Sequence, residues 1–295
     1  MTLSSVRQVA LVCGLTLGLL LAVLSWFLLA GLEQQRRSEA REIAQGFALR
    51  MMERFGESLG AVYLLGGAFD PIAGQPRQFD ERASELLRDF PLVRALQLAP
   101  GGVISYVSPL RGNEVIVGHD LLVDKTRNRE VHLAISRRQM AVAGPFELRQ
   151  GGVAIVARYP LFMTTATGRS QFWGLAIGVV DYPALLRASG DNEFERFGLA
   201  FQLCWVPLGE TVCKNPAGVD ENLPASAERL RIGSSHVDWR LAVYRQAGWL
   251  TAGEGVLAVF LVIFSALLGG WLAGRLIAAR WSLPEDAEGL ATTLQ

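Results

Sequence analysis

Histidine is nearly missing from this chain, cysteine is scarce, and neither sign of charge prevails. The three histidines, His119, His132 and His236, stand far apart, and with three cysteines they give no zinc-ligand spacing. A glycine-rich phosphate loop and an HExxH helix are both wanting. These absences argue against phosphoryl-transfer and metallohydrolase chemistry, so no catalytic residue, no metal and no cofactor are expected. With 28 basic residues against 28 acidic ones, the chain has no excess charge for a polyanion, and nucleic acid is not expected as a partner.

What the chain does have is long uncharged runs. One extends from Gln8 to Leu32 and the other from Gly255 to Gly274. Each is long enough to cross a hydrocarbon core of roughly 30 Å as a helix, whereas a buried core helix rarely stays uncharged for so long. The first also exceeds the apolar stretch of a signal peptide, and Leu28 and Ala30 do not form a small-x-small cleavage site. The flanks carry Arg7 before the first run and Arg275 and Arg280 after the second. The positive-inside rule therefore puts both termini in the cytoplasm and the intervening domain outside, in a periplasm or extracellular space.

The cysteines fit that placement. Cys13 lies within the first run as a small packing residue, whereas Cys204 and Cys213 fall in the exported part and flank a turn at Pro207, Leu208 and Gly209. A disulfide across that hairpin is expected in an oxidising compartment, and two reduced buried thiols are the alternative.

Beyond the first run, Ile43, Phe47, Met51, Phe55, Leu59 and Val62 recur at steps of three and four, drawing one apolar stripe on an uninterrupted helix. The membrane helix is thus expected to continue as a stalk, its stripe packing on its own domain or on a second copy in a parallel homodimer. After a break at Asp70 and Pro71, a short helix is expected from Phe79 to Asp89, then strands at Val93–Leu98 and Val103–Val107 around Pro100, Gly101 and Gly102. Helical spacing returns from Lys125 to Gln139. Strands follow at Phe146–Arg149, Val153–Tyr159 and Phe172–Val180, with Gln150, Gly151 and Gly152 as a turn. Two strands, a helix and three strands make an antiparallel α+β unit of the PAS kind, and Phe194–Arg245 reads as a second, smaller one.

The organisation expected is therefore a cytoplasmic N-terminus (1–8), a transmembrane helix (9–32), a stalk helix and linker (33–78), a membrane-distal PAS-like unit (79–190) and a membrane-proximal one (191–250). A second transmembrane helix (255–274) and a short cytoplasmic tail (275–295) complete it. The fold class is α+β: a long stalk helix and two PAS-like antiparallel-sheet units between two transmembrane helices.

Three ordered blocks, FPLVRALQLAPGGVISYVSPLRGNEVIVGHDLL, AVAGPFELRQGGVAIVARYPLF and FWGLAIGVVD, resemble a CHASE domain over about Phe79 to Leu186. CHASE domains are extracytoplasmic sensory modules of histidine kinases and nucleotide cyclases. The resemblance implies a small-molecule ligand held in the membrane-distal unit.

Two clusters of polar residues are candidates for that ligand. Asn113, Glu114 and Asp120, with His119 beside them, lie in the loop RGNEVIVGHDLL, where the alternative is that they cap and hold the loop through backbone bonds. Set beside the plant cytokinin receptors, the resemblance places an adenine-reading acidic residue near Arg127, a leucine near Arg149 and a threonine near Arg158. Arginine in all three places cannot accept the hydrogen bonds that an adenine donor offers, and it pairs with carboxylate or phosphate instead, so an anionic ligand is expected. For Arg127 a solvated helix face is the alternative. Trp173 is a candidate aromatic wall, with core packing as its alternative.

The tail after the second run leaves no room for a kinase or cyclase, so the sensor is expected to signal through a separate kinase or cyclase partner. Two other readings stay open: a non-sensory interaction or scaffold subunit, and the sensor fragment of a longer histidine kinase or diguanylate cyclase.

Overall fold

The computed structural model describes residues 3–72, 75–76, 78–125, 128–207, 210–214, 223–233 and 238–281. It divides into two compact units, one formed by Met1–Glu39 with Ala247–Gln295 and the other by Ala40–Gln246.

In the first unit the long helix α1 (Leu3–Gly67) begins, and α6 (Ala252–Trp281) forms its partner. Both are long and apolar enough to cross a membrane. Their large side chains stay exposed, with Leu19 at 66% and Leu267 at 69%, which a soluble core helix would not tolerate. Small residues let the two backbones approach: a Cβ at Gly14 would meet the Ala266 carbonyl oxygen, and one at Gly18 would meet the Ala266 side chain. Close approach through small residues is how helices associate where lipid removes the hydrophobic drive. Thr251 and Glu254 form a capping box at the start of α6, Thr251 N donating to Glu254 Oε2 at 2.8 Å and Glu254 N to Thr251 Oγ1 at 3.3 Å. Arg36 grips the same place, donating to Glu254 through both terminal nitrogens and to the Trp249 carbonyl at 2.8 Å.

The second unit starts with the remainder of α1, which runs unbroken to Gly67. Phe47, Met51, Phe55, Leu59 and Val62 of the stripe are buried, Phe47 against Phe194 and Phe201 and Phe55 against Trp239. The stripe thus packs on its own domain. A second copy, equally compatible with the periodicity, cannot use these residues; only outward ones such as Leu49 remain for it.

A two-residue ribbon, β1 (Phe69–Asp70) with β2 (Gln75–Pro76), leads to α2 (Phe79–Asp89). Then come β3 (Val93–Pro100), β4 (Tyr106–Ser108), α3 (Asn128–Arg137), β5 (Ala141–Glu147), β6 (Val153–Thr164) and β7 (Ser170–Asp181). The five strands form an antiparallel sheet in the order β4-β3-β7-β6-β5. One face lies on α1, where a Cβ at Gly178 would collide with Val62. The other carries Ala95, Ala99, Val156, Leu175, Ile177 and Val179 and is covered by Ile104 from the β3–β4 connection, by Ile116 and Leu121 from the β4–α3 segment and by Val131 of α3.

Several strand limits differ from the sequence expectation, β6 for one running on to Thr164, and two of the differences have a local cause. Val103 and Ile104 do not extend β4. Left-handed Gly101 and Gly102 turn the chain, and residues 102–104 bond instead to 118–121, as in Leu121 N to Gly102 O at 2.9 Å. Gly102 is needed there, because a Cβ would run into Leu122 at a φ of 92°. β5 begins at Ala141, since Gly144 and Pro145 are absorbed by a register shift between Ala143 and Phe146, which an edge strand permits.

Helices α4 (Tyr182–Ser189), capped by Asp181, and α5 (Asn192–Arg196) connect to a second antiparallel sheet. Its strands β8 (Ala200–Val206), β9 (Glu228–Gly233) and β10 (Asp238–Tyr244) take the order β8-β10-β9. Cys204 and Cys213 are disulfide-bonded with Cα atoms 5.5 Å apart, and Trp205 and Lys214 pair beside the bridge. Of the expected turn, Leu208 and Gly209 lie outside the described residues.

Candidate ligand site

Directly opposed residues of antiparallel strands project to one face, and a single row of the five-stranded sheet reads Val107, Gln97, Ile177, Arg158, Ala141. Its pocket face therefore carries two polar side chains among apolar ones. Arg158 is 2% exposed and Gln97 3%. Between them and the covering loop lies a cavity of about 40 Å³, whose apolar walls include Ile104, Ile116, Val156 and Ile177. His119, Arg149 and Gln150 complete the lining, and none of the described residues that line it is acidic.

Arg149 and His119 converge on one carboxylate. Asp124, with its side chain 7% exposed, has Oδ2 3.1 Å from His119 Nε2 and 3.5 Å from Arg149 Nη2. Arg149 itself is half exposed, so it borders the pocket while Arg158 lies within it.

The loop candidates are engaged with backbone. Asn113 Nδ2 donates to Pro109 O at 2.9 Å, Glu114 Oε2 accepts from Gly112 N at 2.8 Å, and Asp120 Oδ1 accepts from Leu122 N at 2.9 Å. These are the local turns that Asn, Asp and their neighbours close with their own main chain. None of the three lines the cavity. Trp173 is likewise elsewhere, its ring 4.3 Å from that of Phe69. Arg127 lies outside the described residues.

Gln97 was not singled out by sequence reasoning. The available signal was its position: in VRALQLAP it shares the alternating face of Ala95 and Ala99 and is the one polar residue on that face.

Two other sites among the described residues lack this combination. A larger cleft of about 540 Å³ beside α2 is open and lined by Asp70, Glu81, Arg82 and Glu85 without a buried charge. The string Gly56-Glu57-Ser58-Leu59-Gly60 matches GxSxG, but it lies within α1, and Ser58 Oγ donates to Arg54 O at 2.8 Å. A nucleophile elbow needs a strand-to-helix turn that exposes the hydroxyl, and Ser58 is buried in a helix.

Comparison with known proteins agrees with this architecture. Residues 73–204 match the family model of the CHASE domain. No curated protein matches the chain. Among solved structures, an extracellular ligand binding receptor from Desulfohalobium retbaense is similar, with a TM-score of 0.52 at 13% identity over 70% of this chain. The present chain spans 40% of that receptor's length. The sensory domain of the Campylobacter jejuni chemoreceptor Tlp3 aligns with 75% of this chain and 96% of its own in the isoleucine-bound form, at 8% identity and a TM-score of 0.47. In the sequence, the matched segment lies between two helices long and apolar enough to cross a membrane.

Proposed function

We propose that this chain is an extracytoplasmic sensor that binds a small anionic molecule in the five-stranded unit and passes its occupancy across the membrane to an output module. Arg158 carries the reading: its guanidinium lines the cavity on the inner face of the sheet, together with Gln97, His119 and Arg149. Its fork suits a carboxylate or phosphate and fits poorly against a neutral donor-rich ring. Both termini are cytoplasmic in this reading, and the domain is periplasmic or extracellular, where the Cys204–Cys213 bridge persists. The chain performs no chemistry of its own; a kinase or cyclase supplies the output.

The signal passes along α1 because the sheet face opposite the pocket rests on it, Gly178 against Val62. A ligand shifts such an arrangement only by its differential affinity for the two states.

The test is a thermal-shift screen of the full chain in nanodiscs against anionic and neutral small molecules. A ligand at 100 times its dissociation constant raises stability by about 2.7 kcal/mol. The reading expects shifts confined to anions and lost in Arg158→Met. A neutral ligand that binds Arg158→Met as well as the parent chain would overturn it.

A further inference from the structure

We infer that Asp124 is the latch of the ligand pocket: it ties the segment that covers the cavity to the β5–β6 turn, and a ligand enters when that tie opens. This deepens the sensor reading above, whose site the latch regulates. Size is the starting point. The cavity measures about 40 Å³, room for about three waters at roughly 10–15 Å³ each. Pockets that hold small-molecule ligands run to about 300–1,000 Å³, so this one must widen before it fills.

Exposure marks where it opens. Gln97, Val156, Ile177 and Val179 on the sheet side of the cavity are buried, whereas His119, Arg149 and Gln150 of its lining reach solvent. The mouth therefore lies between the covering segment, which carries His119, and the turn that carries Arg149 and Gln150. Asp124 joins those two sides. Its neighbours Val123 and Lys125 are exposed, yet its own side chain is only 7% exposed. A carboxylate turned inward from an exposed loop needs partners to offset its desolvation. Oδ2 has them in His119 Nε2 at 3.1 Å and Arg149 Nη2 at 3.5 Å.

The far flank of the covering segment is fastened by main chain. Ile104 N donates to His119 O at 3.0 Å, Gly118 N to Ile104 O at 2.8 Å and Leu121 N to Gly102 O at 2.9 Å. Backbone bonds on one flank and an ion pair on the other make a hinge and a latch. The guanidinium is half exposed, and such pairs are weak enough to open readily. The turn itself is braced, Leu148 N donating to Gly152 O at 2.9 Å and Arg94 Nη1 to Gly151 O at 3.1 Å, so the moving part is the segment that carries Asp124. His119 and Arg149 both line the cavity and hold Asp124, so occupancy and closure draw on the same two side chains.

The experiment measures access to the cavity without a ligand. Val156→Cys places a thiol in the cavity wall, Cys13→Ala removes the free native one, and methyl methanethiosulfonate, a small neutral reagent, is added to the full chain in nanodiscs. Val243→Cys, at a fully buried position of β10 away from the cavity, reports opening of the fold as a whole. Asp124→Asn and Arg149→Met should each speed modification of Val156→Cys about threefold or more, the scale on which a half-exposed pair restrains a local opening. Neither should change the rate at Val243→Cys. Removing a cation raises a nearby thiol's pKa and slows its reaction, so acceleration by Arg149→Met reports access and not electrostatics. Equal acceleration at both reporters would make Asp124 a support of the fold and overturn the latch. Acceleration by Asp124→Asn alone, or by neither variant, would overturn it too. Arg149→Met changes an exposed side chain, which keeps the test decisive if Asp124→Asn fails to fold. Since the reagent reads only access, its failure leaves the sensor reading to the anion screen above.

Discussion

Gln97 and Arg158 face the same cavity from β3 and β6, with Ile177 of β7 as the single residue between them. An amide and a guanidinium on the inner face of a sheet each carry a desolvation cost there. Stability and ligand recognition therefore pull in opposite directions at these two positions.

That conflict makes Gln97→Leu a stabilising change in the ligand-free protein. Replacing a buried amide by an aliphatic side chain of similar volume removes a desolvation cost and adds apolar burial, worth about 1 kcal/mol. Urea or thermal denaturation of the ligand-free chain should show a raised midpoint. A lowered one would mean that the amide supports the fold.

Gly178 is the point where the sheet touches the stalk. A Cβ there would collide with Val62 and must push β7 and α1 apart, so Gly178→Ala should cost about 1–3 kcal/mol, the usual range for overpacking. Val62→Ala makes room, and the double variant should recover most of the loss. A double-mutant cycle measures that coupling directly; additive losses would show that the contact does not govern the spacing.

Much of this was legible in advance where the chain repeats a strong period. Phe47, Met51, Phe55, Leu59 and Val62 announced a helix face because a stripe with period 3.6 leaves few alternatives. Which partner covered that face was not legible, since the same stripe suits a second copy as well as Phe194 and Trp239. Val103–Val107 has the composition of a strand, yet the backbone freedom of Gly101 and Gly102 redirects Val103 and Ile104 to the 118–121 segment. Of the polar candidates, Arg149 and Arg158 do reach one pocket. Asn113, Glu114 and Asp120 close local turns instead, a role that sequence spacing cannot tell apart from ligand contact. Gln97 escaped notice because a lone glutamine among aliphatics carries no motif, and only the register of β3 against β7 turns it inward.

The disulfide closes a short loop at the end of β8. By the chain-entropy account, a bridge with a sequence separation of nine stabilises by about 2–3 kcal/mol. Reduction, or Cys204→Ser with Cys213→Ser, should lower the unfolding free energy by that order and expose the Trp205–Lys214 pairing to solvent. Hydrogen exchange at the amides of Trp205 and Lys214 reports the local loss, and unchanged protection there would contradict the assignment.

Glu210 links that loop to α3. Its carboxylate meets Lys214 at 3.0 Å and Arg129 at 2.6 Å, and the hydrogen bond from Lys214, with smaller help from Arg129, holds its carboxyl below the usual carboxylate range. A depressed folded-state value contributes stability that is present above the unfolded value and is lost as pH falls through the folded one. Glu210→Gln should therefore lower the melting temperature slightly at neutral pH, and the difference from the parent chain should vanish in acid. Because the pair is solvent-exposed, high salt should shrink the difference as well. A difference that persists below the carboxylate range would rule out this linkage.

Finally, the pairing of the two apolar helices can be tested by proximity. A Cβ built at Gly274 lies 3.8 Å from Ala10 Cβ, within the 3.5–4.5 Å that a disulfide requires. A chain carrying Ala10→Cys and Gly274→Cys, with Cys13→Ala to remove the native thiol, should cross-link on mild oxidation in membranes and migrate as a compact monomer until reduced. Moving the first cysteine to Leu11→Cys, which turns it toward the exposed side of α1, should abolish the cross-link. Gly14→Leu should do the same in the original pair, because its side chain would have to displace the backbone of α6 at Ala266 and Gly270. Cross-linking that occurs only between chains would place the small-residue face at an interface between copies and refute the intramolecular hairpin.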